Sequence, residues 1–129
     1  MSDDIADASL CEVADRIAAR QVSALEVTEA AIRRAEALQP TLNTFISLDA
    51  DGALDAARTI DRNIANGTPV GRLAGVPLAH KDMFYRNGRV TTCGSKICRD
   101  FVADRTSTVL ARLERAGALY VGGLNMSEF

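Results

Sequence analysis

The sequence predicts an α/β fold in which helices lead into a strand–helix–strand unit. Three observations carry this reading. Up to residue 66, apolar residues recur with a helical period behind capping residues. From residue 67, glycine and proline introduce two short apolar runs of strand length, and one helical stretch separates those runs.

The helices come first. Ser9-x-x-Glu12 has the form of a capping box, and Leu10, Val13 and Ile17 follow it as an apolar stripe to about Arg20. Ser23-x-x-Glu26 repeats the signal ahead of Leu25, Thr28, Ile32, Ala35 and Leu38, with Pro40 as the expected stop. Two capped helices joined by so short a turn are expected to form an αα-hairpin. Residues 44–48 form a β-branched and aromatic run, a strand or extended link. A third helix is expected from Ala50 to Asn66, with Ala53, Ala57, Ile60 and Ile64 on one face and Gly67 as its cap.

Gly67, Pro69, Gly71, Gly75 and Pro77 fall within eleven residues and mark a loop into the next strand. Strand alternation over residues 76–81 sets Val76, Leu78 and His80 on one face and Pro77, Ala79 and Lys81 on the other. Residues 83–104 read as an irregular excursion with a turn at Asn87-Gly88 and one short helix near Ser95–Arg99. Thr106 or Ser107 is positioned to cap a helix bearing Val109, Leu110, Leu113 and Ala116, which Gly117 ends. Residues 118–124 form the second buried strand. Strand, crossover helix and strand imply a parallel pair.

Composition narrows the function. At 129 residues the chain has the size of one domain, and its 47% hydrophobic and 25% charged content is ordinary for a globular protein. Residues 1–66 carry 12 acidic and 6 basic side chains, whereas residues 67–129 carry 5 and 9. The asymmetry reads as two sub-regions that face each other or solvent, the alternative being a second half that meets anionic partners. No basic run longer than the pair Arg33-Arg34 and almost no aromatic interleaving favour nucleic acid as a partner. No apolar run reaches the roughly 20 residues that span a bilayer, and the N-terminus lacks a leader pattern. With three cysteines, Cys11, Cys93 and Cys98, a reduced cytoplasmic protein is expected. Those cysteines and the single His80 do not make a zinc ligand set, so no metal is expected. No GxGxxG or Walker pattern supports a nucleotide cofactor.

The chemistry concentrates at the end of the first strand, in His80, Lys81 and Asp82. Only two of the 15 basic residues are lysines, Lys81 and Lys96. A lysine can lose its proton when buried and an arginine effectively cannot, so Lys81 is the candidate general base. Ligands of open α/β sheets sit beyond the carboxyl ends of the strands. That rim collects Lys81, Asp82 and Asn125. Asp82 reads as a cap that fixes the following turn, and His80 as a packed residue of the opposite face. Thr91-Thr92-Cys93-Gly94-Ser95 reads as a structural turn near the site rather than a cysteine nucleophile.

From Gly71 onward the blocks LAGVP, KD, TTCGS, STVLARLERAGA and LNMSEF follow one another. In that order they resemble the N-terminal portion of the amidase-signature family, which includes bacterial amidases and the A subunit of the glutamyl-tRNA(Gln) amidotransferase. The helical pattern of residues 9–66 is similar to that family's lead-in. The resemblance implies N-terminal helices plus the first strands of an α/β/α sandwich with a mixed central sheet. It makes residues 1–129 the N-terminal part of one domain, divided into a helical lead-in (1–66) and a βαβ portion carrying the lysine (67–129). It also implies hydrolysis of a carboxamide C–N bond by a Ser–cis-Ser–Lys triad, with Lys81 as its lysine, Asn125 and Met126 as substrate-binding residues and no cofactor. The triad serines belong to a Gly/Ser-rich region that follows the NMSEF block. None of Ser2, Ser9, Ser23, Ser47, Ser95, Ser107 or Ser127 matches them.

The 129 residues are therefore expected to be a fragment, inactive alone, soluble only marginally or self-associating through an uncovered sheet edge. The KDMFYRNGR stretch is more similar to stand-alone amidases than to the amidotransferase. From another class, the alternative is a non-catalytic binding module.

Overall fold

The computed structural model describes residues 4–127. Five helices and three strands alternate in the order α1 (Asp4–Asp7), α2 (Leu10–Ala18), α3 (Ala24–Leu42), β1 (Phe45–Leu48), α4 (Ala50–Ala65), β2 (Pro77–Lys81), α5 (Thr108–Arg115) and β3 (Leu119–Leu124). A single 3₁₀ turn, Lys96–Cys98, lies in the excursion between β2 and α5. The sheet is mixed, with spatial order β1–β3–β2. β2 runs parallel to β3, as the crossover requires, and β1 adds an antiparallel edge.

The caps form unequally. Ser23 and Glu26 make the full reciprocal box, with Ser23 N–H donating to the Glu26 carboxylate at 2.8 Å and Glu26 N–H to Ser23 Oγ at 3.0 Å. The backbone and side-chain hydrogen bonds from Ser23 hold the Glu26 carboxyl below its ordinary value. At Ser9 only half the box appears. Glu12 N–H reaches Ser9 Oγ at 3.3 Å, but the Glu12 carboxylate turns to Arg16, 2.7 Å away on the next turn.

Three expectations need correction. α3 does not stop at Pro40 but continues to Leu42. A proline one turn from a helix end forfeits little of the backbone ladder. Asn43 then closes the helix in the left-handed region, φ 47°, donating its N–H to Gln39 O at 2.9 Å. Leu10 and Leu38, both assigned to apolar stripes, are 55% and 43% exposed, while Ala24, Val27, Thr28 and Ile32 form the buried face of α3. Ser107 stands at the N-cap of α5 without a capping bond, and Thr106 Oγ1 accepts the Asn87 N–H instead. The expected α2–α3 hairpin survives as a cluster of Val13, Ile17 and Val27 with Val76. The extended helix–helix contact is made by α3 with α4. Ser127 with Glu128 reads in the sequence as the opening of a further helix, and from Glu128 on it lies outside the described residues.

The core under the sheet joins Ala24 and Ile32 of α3, Ala53 and Ala57 of α4, and Leu119 and Val121 of β3. Each fully buried branched aliphatic there contributes about 1.5–3 kcal/mol. Alanines at positions 53 and 57 let α4 approach the sheet closely, which seats β3 and so the rim at its end. The opposite charges of the two chain halves meet where Arg89 pairs with Asp49 at 2.5 Å. Among the described residues no helix is long and apolar enough to cross a membrane.

Candidate active site

The rim is built by β2 and β3. Their parallel register sets Lys81 beside Leu124, so Asn125 follows at the same end of the sheet. A register shift between Leu78 and Ala79 does not disturb the alternation that follows it. Ala79 packs on the α3–α4 cluster, while His80 stacks on Tyr120 with ring centroids 5.1 Å apart. Successive strand residues point to opposite faces, and Lys81 therefore belongs to the side of Ala79.

Lys81 is exposed, and among the described residues its ammonium has no hydrogen bond or ion pair. Asp82 is 8% exposed, the one buried charged side chain of the described residues. Its carboxylate accepts the Thr92 backbone N–H at 2.8 Å and the Thr92 hydroxyl. Its own N–H donates to Leu124 O at 3.1 Å, and its carbonyl accepts Cys93 N–H at 2.9 Å. Asp82 thus fixes a turn ten residues away rather than the turn that immediately follows it.

That turn is Thr91–Ser95. Cys93 and Gly94 both take left-handed backbone conformations, φ 52° and 72°. Gly94 N–H donates to Thr92 Oγ1 at 3.0 Å and Ser95 N–H to Thr92 O at 2.9 Å, which makes it a closed structural turn. His80 is a packing residue. Its Nδ1 lies 3.1 Å from Lys81 O, and its buried Nε2 has no partner among the described residues.

Asn125 reaches the rim but spends its side chain on the backbone. Nδ2 donates to Asn43 O at 3.1 Å, and Oδ1 accepts Met126 N–H at 2.9 Å. It ties the end of β3 to the C-cap of α3. Met126 beside it is half-buried.

A second open cleft, about 530 Å³, lies at the other end of β3 and is lined in part by Asp49, Arg86, Arg89, Glu114 and Tyr120. Its two arginines are engaged. Arg86 lies 4.3 Å over the Tyr120 ring and pairs with Glu114, while Arg89 holds Asp49. No group of three or more His, Cys, Asp or Glu side chains placed to hold a metal occurs among the described residues.

Thr92 and Gln39 escape sequence reasoning. Thr92 matters through Asp82, and Gln39 through Phe45, whose N–H it accepts at 2.9 Å and whose carbonyl it meets at 2.8 Å. Neither contact leaves a periodic signal.

The family model of the amidases, described simply as Amidase, matches residues 26–129. The chain belongs to the amidase family. This amidase-family chain is 48% identical over 118 residues to the A subunit of the glutamyl-tRNA(Gln) amidotransferase from Acidothermus cellulolyticus, covering 92% of the chain and 23% of that protein. Against the corresponding protein of an Azoarcus species it is 46% identical over 123 residues, covering 95% of the chain and 25% of the relative. Among solved structures it superposes on the native peptide amidase of Stenotrophomonas maltophilia with a TM-score of 0.87 at 31% identity, over 98% of the chain and 26% of that enzyme. Fatty acid amide hydrolase gives 0.89 at 27% identity, over 94% and 21%. The helices and mixed sheet are thus an amidase-signature fold, and the chain spans about a quarter of the length of the relatives it matches.

Proposed function

We propose that residues 1–129 supply the lysine-bearing part of a site that hydrolyses a carboxamide C–N bond. Lys81 is the distal base of a Ser–cis-Ser–Lys triad. Neutral, it takes a proton through the cis serine, so that the nucleophilic serine can attack the amide carbonyl. The observation that supports this most is the position of Lys81 at the carboxyl end of β2, in register with the end of β3, in a chain of the amidase family. Keeping a lysine neutral requires taking it out of water. Lys81 is exposed among the described residues, so that cover has to come from elsewhere in the domain. Met126 lines the substrate side of the rim, and Asn125 shapes it through the backbone of Asn43.

No cofactor takes part in this scheme, and its setting is the cytoplasm. The substrate class is a small carboxamide. A free amidase fits, and so does the A subunit of an amidotransferase, the second favoured by the names of the relatives. Because Gln39 flanks the outer side of β1 at Phe45, the edge that offers self-association is that of β2.

The test is an ammonia-release assay on glutamine and simple carboxamides. Residues 1–129 alone are expected to release none above background, since no serine among them matches the triad. The same residues at the head of an amidase domain of the relatives' full length are expected to turn over amide. Turnover by residues 1–129 alone, or none in the longer polypeptide, would overturn the reading.

A further inference from the structure

Asp82 follows the proposed base directly, and an ion pair with Lys81 is the obvious role for it. The structure gives it another. Its carboxylate is turned inward onto Thr92, and the Lys81 ammonium lies within ion-pair distance of no carboxylate among the described residues. Strand alternation explains the separation, since neighbouring side chains leave a strand on opposite faces. Burial explains the direction. A carboxylate 8% exposed must be hydrogen-bonded, and Thr92 offers both a backbone N–H and a hydroxyl.

The polar groups of residue 82 then join three segments. The N–H holds the end of β3 at Leu124, the carbonyl holds Cys93, and the carboxylate holds Thr92. Thr92 passes the constraint on, because its hydroxyl oxygen also accepts the Gly94 N–H. Thr91, next to it, is 2% exposed and donates its N–H to Phe101 O at 2.9 Å, which anchors the turn from behind.

We propose that Asp82 is a positioning residue of the rim: through Thr92 it locks the end of β2, the end of β3 and the Thr91–Ser95 turn into one unit that fixes where Lys81 leaves the sheet. This goes beyond the reading of Lys81 as a base and rests on it for its catalytic meaning. A base held this way needs no competing counter-ion beside it. The turn becomes a rigid wall next to the reacting groups, which positioning rewards strongly.

The experiment is solution NMR on residues 1–129 with Asp82→Ala, Thr92→Val and Thr92→Ser. With only two lysines, the Lys81 signal is read against Lys96 as an internal control. In Asp82→Ala and Thr92→Val, backbone order parameters at Lys81 and Thr92 are expected to fall from about 0.85 towards 0.6 or below. Amides of α3 and α4 stay as they were, and Thr92→Ser restores the rigid values. Should Asp82→Ala not fold, Thr92→Val removes the hydroxyl's bond to Asp82 together with the one it accepts from Gly94, and order at Lys81 decides the matter. Order at Lys81 unmoved in Thr92→Val would overturn the proposal. None of these readouts requires Lys81 to be a base, so a failed hydrolysis assay and a failed clamp remain distinct results.

Discussion

Asp61 of α4 caps a helix other than its own: its carboxylate accepts the backbone N–H of Ala24 at 2.8 Å, and of Leu25 at 3.0 Å, at the start of α3. The first N–H groups of a helix have no partner within it and carry its positive end. Asp61→Ala leaves two such donors without an acceptor. It is expected to lower stability by about 1–2 kcal/mol, measured as a shift in urea midpoint at constant slope. A change below a few tenths of a kcal/mol would show that water replaces the carboxylate at no cost.

The capping box on the same turn predicts a pH dependence. The folded-state value of Glu26 lies below its unfolded one, held there by the hydrogen bonds from Ser23. A group of that kind stabilises the fold above its unfolded value and loses the contribution as pH falls through its folded value. The stability gap between the unaltered chain and Glu26→Gln is therefore expected to be full at neutral pH and to close on acidification below the ordinary glutamate range. Urea midpoints for both proteins across that range measure it. A gap independent of pH would contradict the assignment.

Gln39 predicts the behaviour of the β1 edge. Its carboxamide pairs with the N–H and carbonyl of Phe45 as a neighbouring strand would. Gln39→Ala is expected to cost about 0.5–1.5 kcal/mol and to speed hydrogen exchange at Phe45. It also adds a second open edge, so sedimentation should show more self-association than in the unaltered chain. Exchange at Phe45 unchanged by the substitution would sink this account.

Two glycines with similar backbones separate strain from clash. Gly117 has φ 93°, and a Cβ there would meet Ala74 Cα at 2.8 Å and Ala74 N at 2.9 Å. Gly88 has φ 73° with nothing within 4 Å of the added atom. Gly88→Ala is expected to cost about 1–2 kcal/mol, the left-handed penalty alone. Gly117→Ala should cost more, because backbone atoms have to move as well. Thermal melts of the two variants give the order directly, and equal losses would contradict it.

Much of this architecture is legible in the residues. The caps at Ser9 and Ser23, the alanine stripe of α4 and the glycine-bounded runs of β2 and β3 are local signals, and they place α2, α3, α4, β2 and β3 within a few residues. Pro40 misleads because a proline's effect depends on how much helix remains beyond it, and here Asn43 ends the helix three residues later. The logic of a parallel pair, which needs only the order of elements, is enough to set Lys81 and Asn125 on one rim. The partner of Asp82 is not legible. The Asp82–Thr92 and Asp61–Ala24 contacts join positions brought together by tertiary folding, and no spacing rule encodes them.

The central claim is that Lys81 is a base, and it is tested most directly by substitution at that position in a polypeptide carrying residues 1–129 at the head of an amidase domain of the relatives' full length. Lys81→Ala and Lys81→Arg are both expected to lower kcat for amide hydrolysis by about 100- to 10,000-fold, because arginine keeps the charge and cannot give up its proton. Activity retained in Lys81→Arg would mean that the position supplies charge alone, and would contradict the account.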